Sequence, residues 1–241
     1  MSFFLPSDRA YLSAKRLKQG TSLLDSIYDA FVASFDDRFG FPPLAVGVDT
    51  IERPKRAGSR PRLGVVLERS SQCLSFNASP EPFANYDTRK QRQVADLFVG
   101  TMRGMDLRRL FGMPRRTPRT YPWRNEIFVV FSDFERTAKR EVNDLVPRPE
   151  LDDWVASLGL GEQFWCTERF AGPPIVFVHT EDQAAALMNS SMPDAWADSY
   201  FALANRHDEF GYLTRDDVAI AVDSKENFDT NYASNWYYYF K

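Results

Sequence analysis

Gln163-Phe-Trp-Cys166-Thr-Glu-Arg-Phe170-Ala-Gly-Pro-Pro174-Ile-Val-Phe-Val178-His179-Thr180-Glu-Asp-Gln183-Ala-Ala-Ala-Leu187 joins two β-rich runs, a turn and a helix start in direct succession. Gln163–Phe170 and Pro174–His179 are rich in aromatic and β-branched residues, and Ala171-Gly172-Pro173 between them is turn chemistry. Thr180-Glu-Asp-Gln183 is a capping box: the threonine hydroxyl accepts from the amide three residues on, and the glutamine reaches back. Ala184, Ala185 and Leu187 carry the helix onward. A hairpin running into a helix predicts an α+β or mixed α/β fold, with a mixed, largely antiparallel sheet and helices packed on it.

The same grammar extends outward in both directions. Leu23, Leu24, Ile27, Tyr28, Phe31, Val32 and Phe35 recur with a helical period within 9–38, where Gly20 breaks the segment and Pro42-Pro43 follows its end. Leu44–Asp49 and Arg62–Glu68 read as strands around a basic tip, and Gln72–Phe76 as a third strand. Thr88-Arg-Lys-Gln91 and Ser132-Asp-Phe-Glu135 are further capping boxes, opening helices to about Met102 and over roughly 134–145. Ile127–Phe131 is apolar on both faces, the pattern of a central covered strand. Glu150–Leu158 reads as a short helix, Pro193 starts another, Val218–Asp223 is a short strand, and Asn235–Lys241 is aromatic and strand-like.

Leu63–Glu68 followed by Thr88…Val94-Ala-Asp96-Leu97 echoes Phe128–Phe131 followed by Thr137…Val142-Asn-Asp144-Leu145, a pattern of two related lobes. Charge divides the chain in the same sense. Residues 1–124 hold 21 Lys/Arg against 12 Asp/Glu, whereas 125–241 hold 9 against 21, so the whole chain's net charge of −3 hides halves of +9 and −12. The expected organisation is a basic α/β lobe over 1–104, a basic, Pro-rich linker over 105–124, and an acidic, aromatic α/β lobe over 125–241. With 44% hydrophobic and 26% charged residues, wholesale disorder is excluded. No apolar run approaches the roughly 18 residues of a membrane span, and the apolar start stops at Pro6, too soon for a signal peptide. Two distant cysteines, Cys73 and Cys166, fit a reducing cytoplasm.

Three kinds of chemistry have candidate residues. Pairing Phe170 with Ile175 across the Ala-Gly-Pro turn sets Cys166 opposite His179, where an imidazole could activate a thiol; a buried structural thiol gives the same pattern. Asp217 and Asp223-Ser224-Lys225 flank a strand in the manner of a Mg²⁺-dependent nuclease. Arg53, Lys55, Arg56, Arg60 and Arg62 on the hairpin, with Arg115, Arg116 and Arg119 beyond it, form an anion- or nucleic-acid-binding set. No phosphate-loop, dinucleotide, zinc-protease or Cys-x-x-Cys motif occurs, so no cofactor or metal is expected.

The acidic half offers a different surface: Asp194, Trp196, Asp198, Tyr200 and Trp236 combine carboxylates with aromatic anchors, which suits a basic protein partner. The sequence therefore points to a non-catalytic cytoplasmic interaction protein, inhibitor-like or immunity-like, with a protein partner and no membrane. A nucleic-acid binder using the basic hairpin tip and linker, or a metal-dependent nuclease, is the alternative.

Overall fold

Alternating apolar residues build two three-stranded sheets in the computed structural model, which describes residues 4–52, 59–79, 81, 84–118 and 120–241. The chain divides into two units, Met1–Thr137 and Ala138–Lys241. Each is an α+β arrangement of a mixed sheet and helices.

The first unit runs through α1 (Arg9–Lys18), α2 (Asp29–Phe39), β1 (Ala45–Glu52), β2 (Ser59–Leu67), α3 (Ser70–Leu74), α4 (Thr88–Thr101), α5 (Leu107–Leu110), α6 (Trp123–Glu126) and β3 (Phe128–Asp133) into the start of α7 (Phe134–Leu145). β2 is central, antiparallel to β1 and parallel to β3. Successive strand side chains point to opposite faces. Leu63, Val65 and Leu67 of β2 join Val46, Val129 and Phe131 on the inner face, under Phe31, Phe35, Phe76 and Phe98. Phe76 stacks on Phe131 at 4.1 Å. Each such ring contributes about 1.5–3 kcal/mol by leaving water. β3, expected at the centre, is an edge strand covered on both faces, with Val129 and Phe131 in the core and Val130 buried opposite.

Three local expectations change for identifiable reasons, the first at α7, where Asp133 and not Ser132 accepts the opening amide, that of Arg136 at 2.9 Å, and Glu135 accepts from Ser70. Gln72–Phe76 is not a strand: the Gln72 carboxamide accepts the Arg69 amide at 2.9 Å and caps α3 instead. Asp87, not Thr88, caps α4, because its carboxylate accepts from the amides of Arg89 and Lys90. Gln91 then donates to the Val129 carbonyl at 2.6 Å, tying α4 to β3.

The basic segment 105–124 belongs to the first unit's core. Leu107 and Phe111 are buried, and Trp123 stacks on Phe111 at 5.7 Å. The division of the chain falls after Thr137, not at 104 or 125. The apolar residues interleaved with the arginines bind this stretch to the helices before it.

The second unit continues α7 into α8 (Arg148–Ser157), β4 (Phe164–Glu168), β5 (Ile175–Val178), α9 (Glu181–Met188), α10 (Met192–Ala204), β6 (Ala221–Ser224), α11 (Lys225–Tyr232) and α12 (Trp236–Tyr239). β5 is central, antiparallel to β4 and parallel to β6. Val176, Val178, Trp154, Trp196 and Tyr200 form its core. The aromatic end, expected as a strand, is helical because the Asn235 side chain accepts from the Tyr237 amide and starts α12.

The units repeat one design: a hairpin, a helical crossover, then a third strand parallel to the hairpin's second. The repetition reaches single hydrogen bonds. Gln72 caps the amide of Arg69 after β2, as Gln183 caps Thr180 after β5. The Glu135 amide donates to the Glu68 carbonyl at 3.1 Å, and the Glu226 amide to the His179 carbonyl at 3.2 Å. The carboxylates of Glu135 and Glu226 return to the amides of Ser70 and Glu181, both at 3.1 Å. Asp133 accepts the Arg136 amide and Ser224 the Asn227 amide, each at 2.9 Å. The sequence echo matches β2 with β3. The structure instead makes β2 equivalent to β5 and β3 equivalent to β6.

Candidate interaction surface

The proposed cysteine–histidine pair is not assembled. Cys166 faces Phe177, two positions short of the expected register. β4 ends at Glu168, and Arg169 turns to the carbonyl oxygens of Asn143 and Val146, which lengthens the turn. His179 lies beyond the end of β5 and is exposed. Burial, with Glu168 nearby, pushes the Cys166 thiol up to about 12, which opposes formation of a reactive thiolate.

The carboxylates of the nuclease candidate are committed to separate networks. Asp217 accepts the Thr214 amide and hydroxyl at 2.8 and 2.6 Å and pairs with Lys139 at 2.9 Å. Burial acts against its charge, but Thr214 and Lys139 outweigh it and hold the pKa below the ordinary value. Asp223 accepts from the Asn227 carboxamide at 2.9 Å and from the Tyr239 hydroxyl at 2.6 Å. Lys225 pairs with Asp229 and lies 5.5 Å from the Trp165 ring centre. Among the described residues no group of three His, Cys, Asp or Glu side chains is placed to hold a metal ion.

The described basic candidates, Arg60, Arg62, Arg115 and Arg116, have separate surroundings. Arg53, Lys55, Arg56 and Arg119 lie outside the described residues. Arg60 donates to the Glu126 carbonyl at 2.8 Å and sits 4.9 Å from the Phe128 ring centre. Arg62 makes a two-point ion pair with Asp49. Arg115 and Arg116 are exposed. A shallow basin of about 510 Å³ is lined by Arg103, Arg108, Met102 and Trp123, with Arg108 engaged by Asp106 at 2.9 Å; Arg115 and Arg116 do not line it.

The acidic, aromatic candidates separate by depth. Trp196 and Tyr200 are core residues: Tyr200 is inaccessible and donates its hydroxyl to Asn143 at 3.1 Å. They are not contact residues, because the helical period of α10 turns both inward. Asp194 and Asp198 are exposed on the same helix; Arg215 ion-pairs with Asp198 and donates to the Asp194 carbonyl.

Trp236 leads to the aromatic surface the unit does present. It stacks 6.0 Å from Trp165 and packs at a tilt 4.1 Å from Phe228, and Phe228 is buried. Phe240 stacks on Trp236 at 5.8 Å, and Phe170 stacks on Phe240 at 4.9 Å. The ring cluster therefore runs outward from the β5 side chain Phe177, edge-on to Trp236, to Phe170, which is 64% exposed. Tyr237 and Tyr238, on α12, are 68% and 54% exposed. The sequence offered Trp236 but missed Phe170 and Phe240. The available signal was a phenylalanine at a Gly-Pro turn, where a ring has no core to enter.

No family model, no curated protein and no solved structure matches the chain. Among the described residues no helix is long and apolar enough to cross a membrane.

Proposed function

We propose that the protein is a non-catalytic binding protein that holds a basic protein partner on the aromatic end of its second unit. The observation that carries this reading is the exposure of Phe170, Tyr237 and Tyr238 beside a base of stacked rings. Large aromatic side chains dominate interface energetics, and a prearranged base lowers the entropy lost on association. The net charge of −12 over residues 125–241 favours a basic partner by steering encounters. An inhibitor-like or immunity-like role, neutralising a basic protein by covering it, is the form of this activity most consistent with such a surface. The commitment of Asp223 and Asp217 to internal partners and the raised Cys166 thiol support binding over catalysis.

A photoreactive benzoylphenylalanine in place of Tyr238 tests the reading. It should cross-link a basic protein in cells that make the chain, whereas the same group in place of Leu23, 93% exposed in the first unit, should not. Adducts formed only from position 23 overturn it.

The nucleic-acid reading keeps one specific support, the basin that brings Trp123 beside Arg103 and Arg108. It predicts salt-sensitive binding of random-sequence RNA or DNA that is lost in Arg115→Glu/Arg116→Glu.

A further inference from the structure

Gly47 and Gly64 face each other across β1 and β2, and nothing in the backbone explains why either is glycine. Neither has a positive φ. A Cβ at Gly47 would meet no atom within 4 Å, and one at Gly64 would make only an ordinary 3.6 Å contact with the Gly47 carbonyl oxygen. Glycine within a strand costs about 0.5–1 kcal/mol; such glycines occur at bulges, at bends and where a ligand or another backbone comes close, and the register at Gly47 and Gly64 is unbroken.

The two glycines form the floor of a groove of about 540 Å³ on the sheet's outer face. Phe4, Ala10 and Ser13 line it from the N-terminal segment and α1. The volume falls within the range of small-molecule sites, roughly 300–1,000 Å³. The second unit supplies the internal precedent for its occupant. On the equivalent face of the β4–β5–β6 sheet, Trp236 and Tyr239 lay their rings 5.3 and 5.4 Å from Phe177. In the first unit Phe4 lines the corresponding face, its ring meets that of Tyr11, and Gly47 stays exposed.

Charge adds polarity to that shape. Asp49 holds Arg62 in a two-point ion pair, and the Asp8 carboxylate accepts the Leu5 amide at 2.8 Å. Arg9, which also lines the groove, is exposed and has no ion pair among the described residues. We propose that this groove binds a small planar aromatic anion, with its ring on the Gly47–Gly64 floor and its carboxylate or sulfonate at Arg9. This site is separate from the protein-binding surface of the second unit and does not depend on it.

The probe is 8-anilinonaphthalene-1-sulfonate, titrated by fluorescence into the full chain, with 2-naphthoate and 2-naphthylmethylammonium as competitors. One saturable site is expected, displaced by the carboxylate and not by the ammonium. Gly47→Val fills the floor with a strand-compatible side chain and should weaken binding at least about tenfold while the chain still unfolds cooperatively. Arg9→Glu, an exposed change that keeps the fold, should weaken it by a similar factor. Phe170→Ser/Tyr238→Ser should leave it unchanged. The proposal is overturned by an absent saturable site, by equal displacement with the ammonium, by full binding in folded Gly47→Val or in Arg9→Glu, or by a signal that disappears with the aromatic variant.

Discussion

Val66 and Phe177 occupy the same place in two copies of one design, on the outer face of the central strand and opposite Ala45 and Cys166 respectively. What lies over them differs. In the first unit the outer face carries small residues, Ala45, Gly47, Gly64 and Ser132, and an open groove. In the second, the equivalent positions carry Cys166, Glu168, Ile175 and Asp223, and the chain's aromatic end covers Phe177 with rings that continue outward to exposed Phe170. The inner faces are alike because each must bury aliphatic side chains to hold its helices. The outer faces are free to diverge, and both the exposed aromatic surface and the groove lie there.

If the rings are structural cover on one sheet only, truncating them should show it. Phe177→Ala should cost about 3–5 kcal/mol in urea unfolding, since the ring is fully buried among Trp165, Trp236 and Tyr239. A cost under about 1 kcal/mol would mean that the aromatic end does not pack as described. The turn that the units share should be sensitive to a smaller degree, and the second unit tests it at two positions. Ser224→Ala removes the acceptor of the Asn227 amide from a fully buried position and should cost about 1 kcal/mol, with a similar loss for Thr180→Ala. Gly47→Val should move the other way, leaving stability unchanged or raising it by about 0.5–1 kcal/mol. Clear destabilisation would show that the glycine serves packing and not an open floor.

The smallest effect is a change of slope with pH. Burial, reinforced by the hydrogen bond to Asp223 and its charge, raises the Tyr239 hydroxyl above its ordinary value of 10.0. The folded state then holds this proton more tightly than the unfolded state. Its contribution is complete below pH 10 and is lost as the pH rises through the raised value. Tyr28, Tyr86 and Tyr200 are raised as well, so wild type should lose stability in alkali for several reasons. Tyr239→Phe should show a shallower alkaline decline than wild type; an identical slope would place Tyr239 outside the network.

Local chemistry was legible at some elements and misread at others, such as the helix that Asn235 starts. Thr180 and Gln183 make the capping box their spacing implied, and Leu63, Val65 and Leu67 alternate inward as a strand pattern requires. The site was less legible, because it depends on register and on which face a ring chooses. A two-residue lengthening of the turn after Glu168 separated Cys166 from His179. Trp196 and Tyr200 carry the same residue chemistry as Tyr237 and Tyr238, yet one pair is core and the other surface. Burial on α10 follows from tertiary packing, which composition does not encode. The groove had no motif at all: two glycines on neighbouring strands become a floor only when the register pairs them.

The most direct test is co-purification from cells that make the protein, comparing wild type with Phe170→Ser/Tyr238→Ser and with Arg115→Glu/Arg116→Glu. Binding through the aromatic surface predicts that wild type and the arginine variant retain the same basic protein, while the aromatic variant loses it at unchanged thermal stability. Retention by the aromatic variant, or loss from the arginine variant alone, would contradict that account and move the function to the first unit.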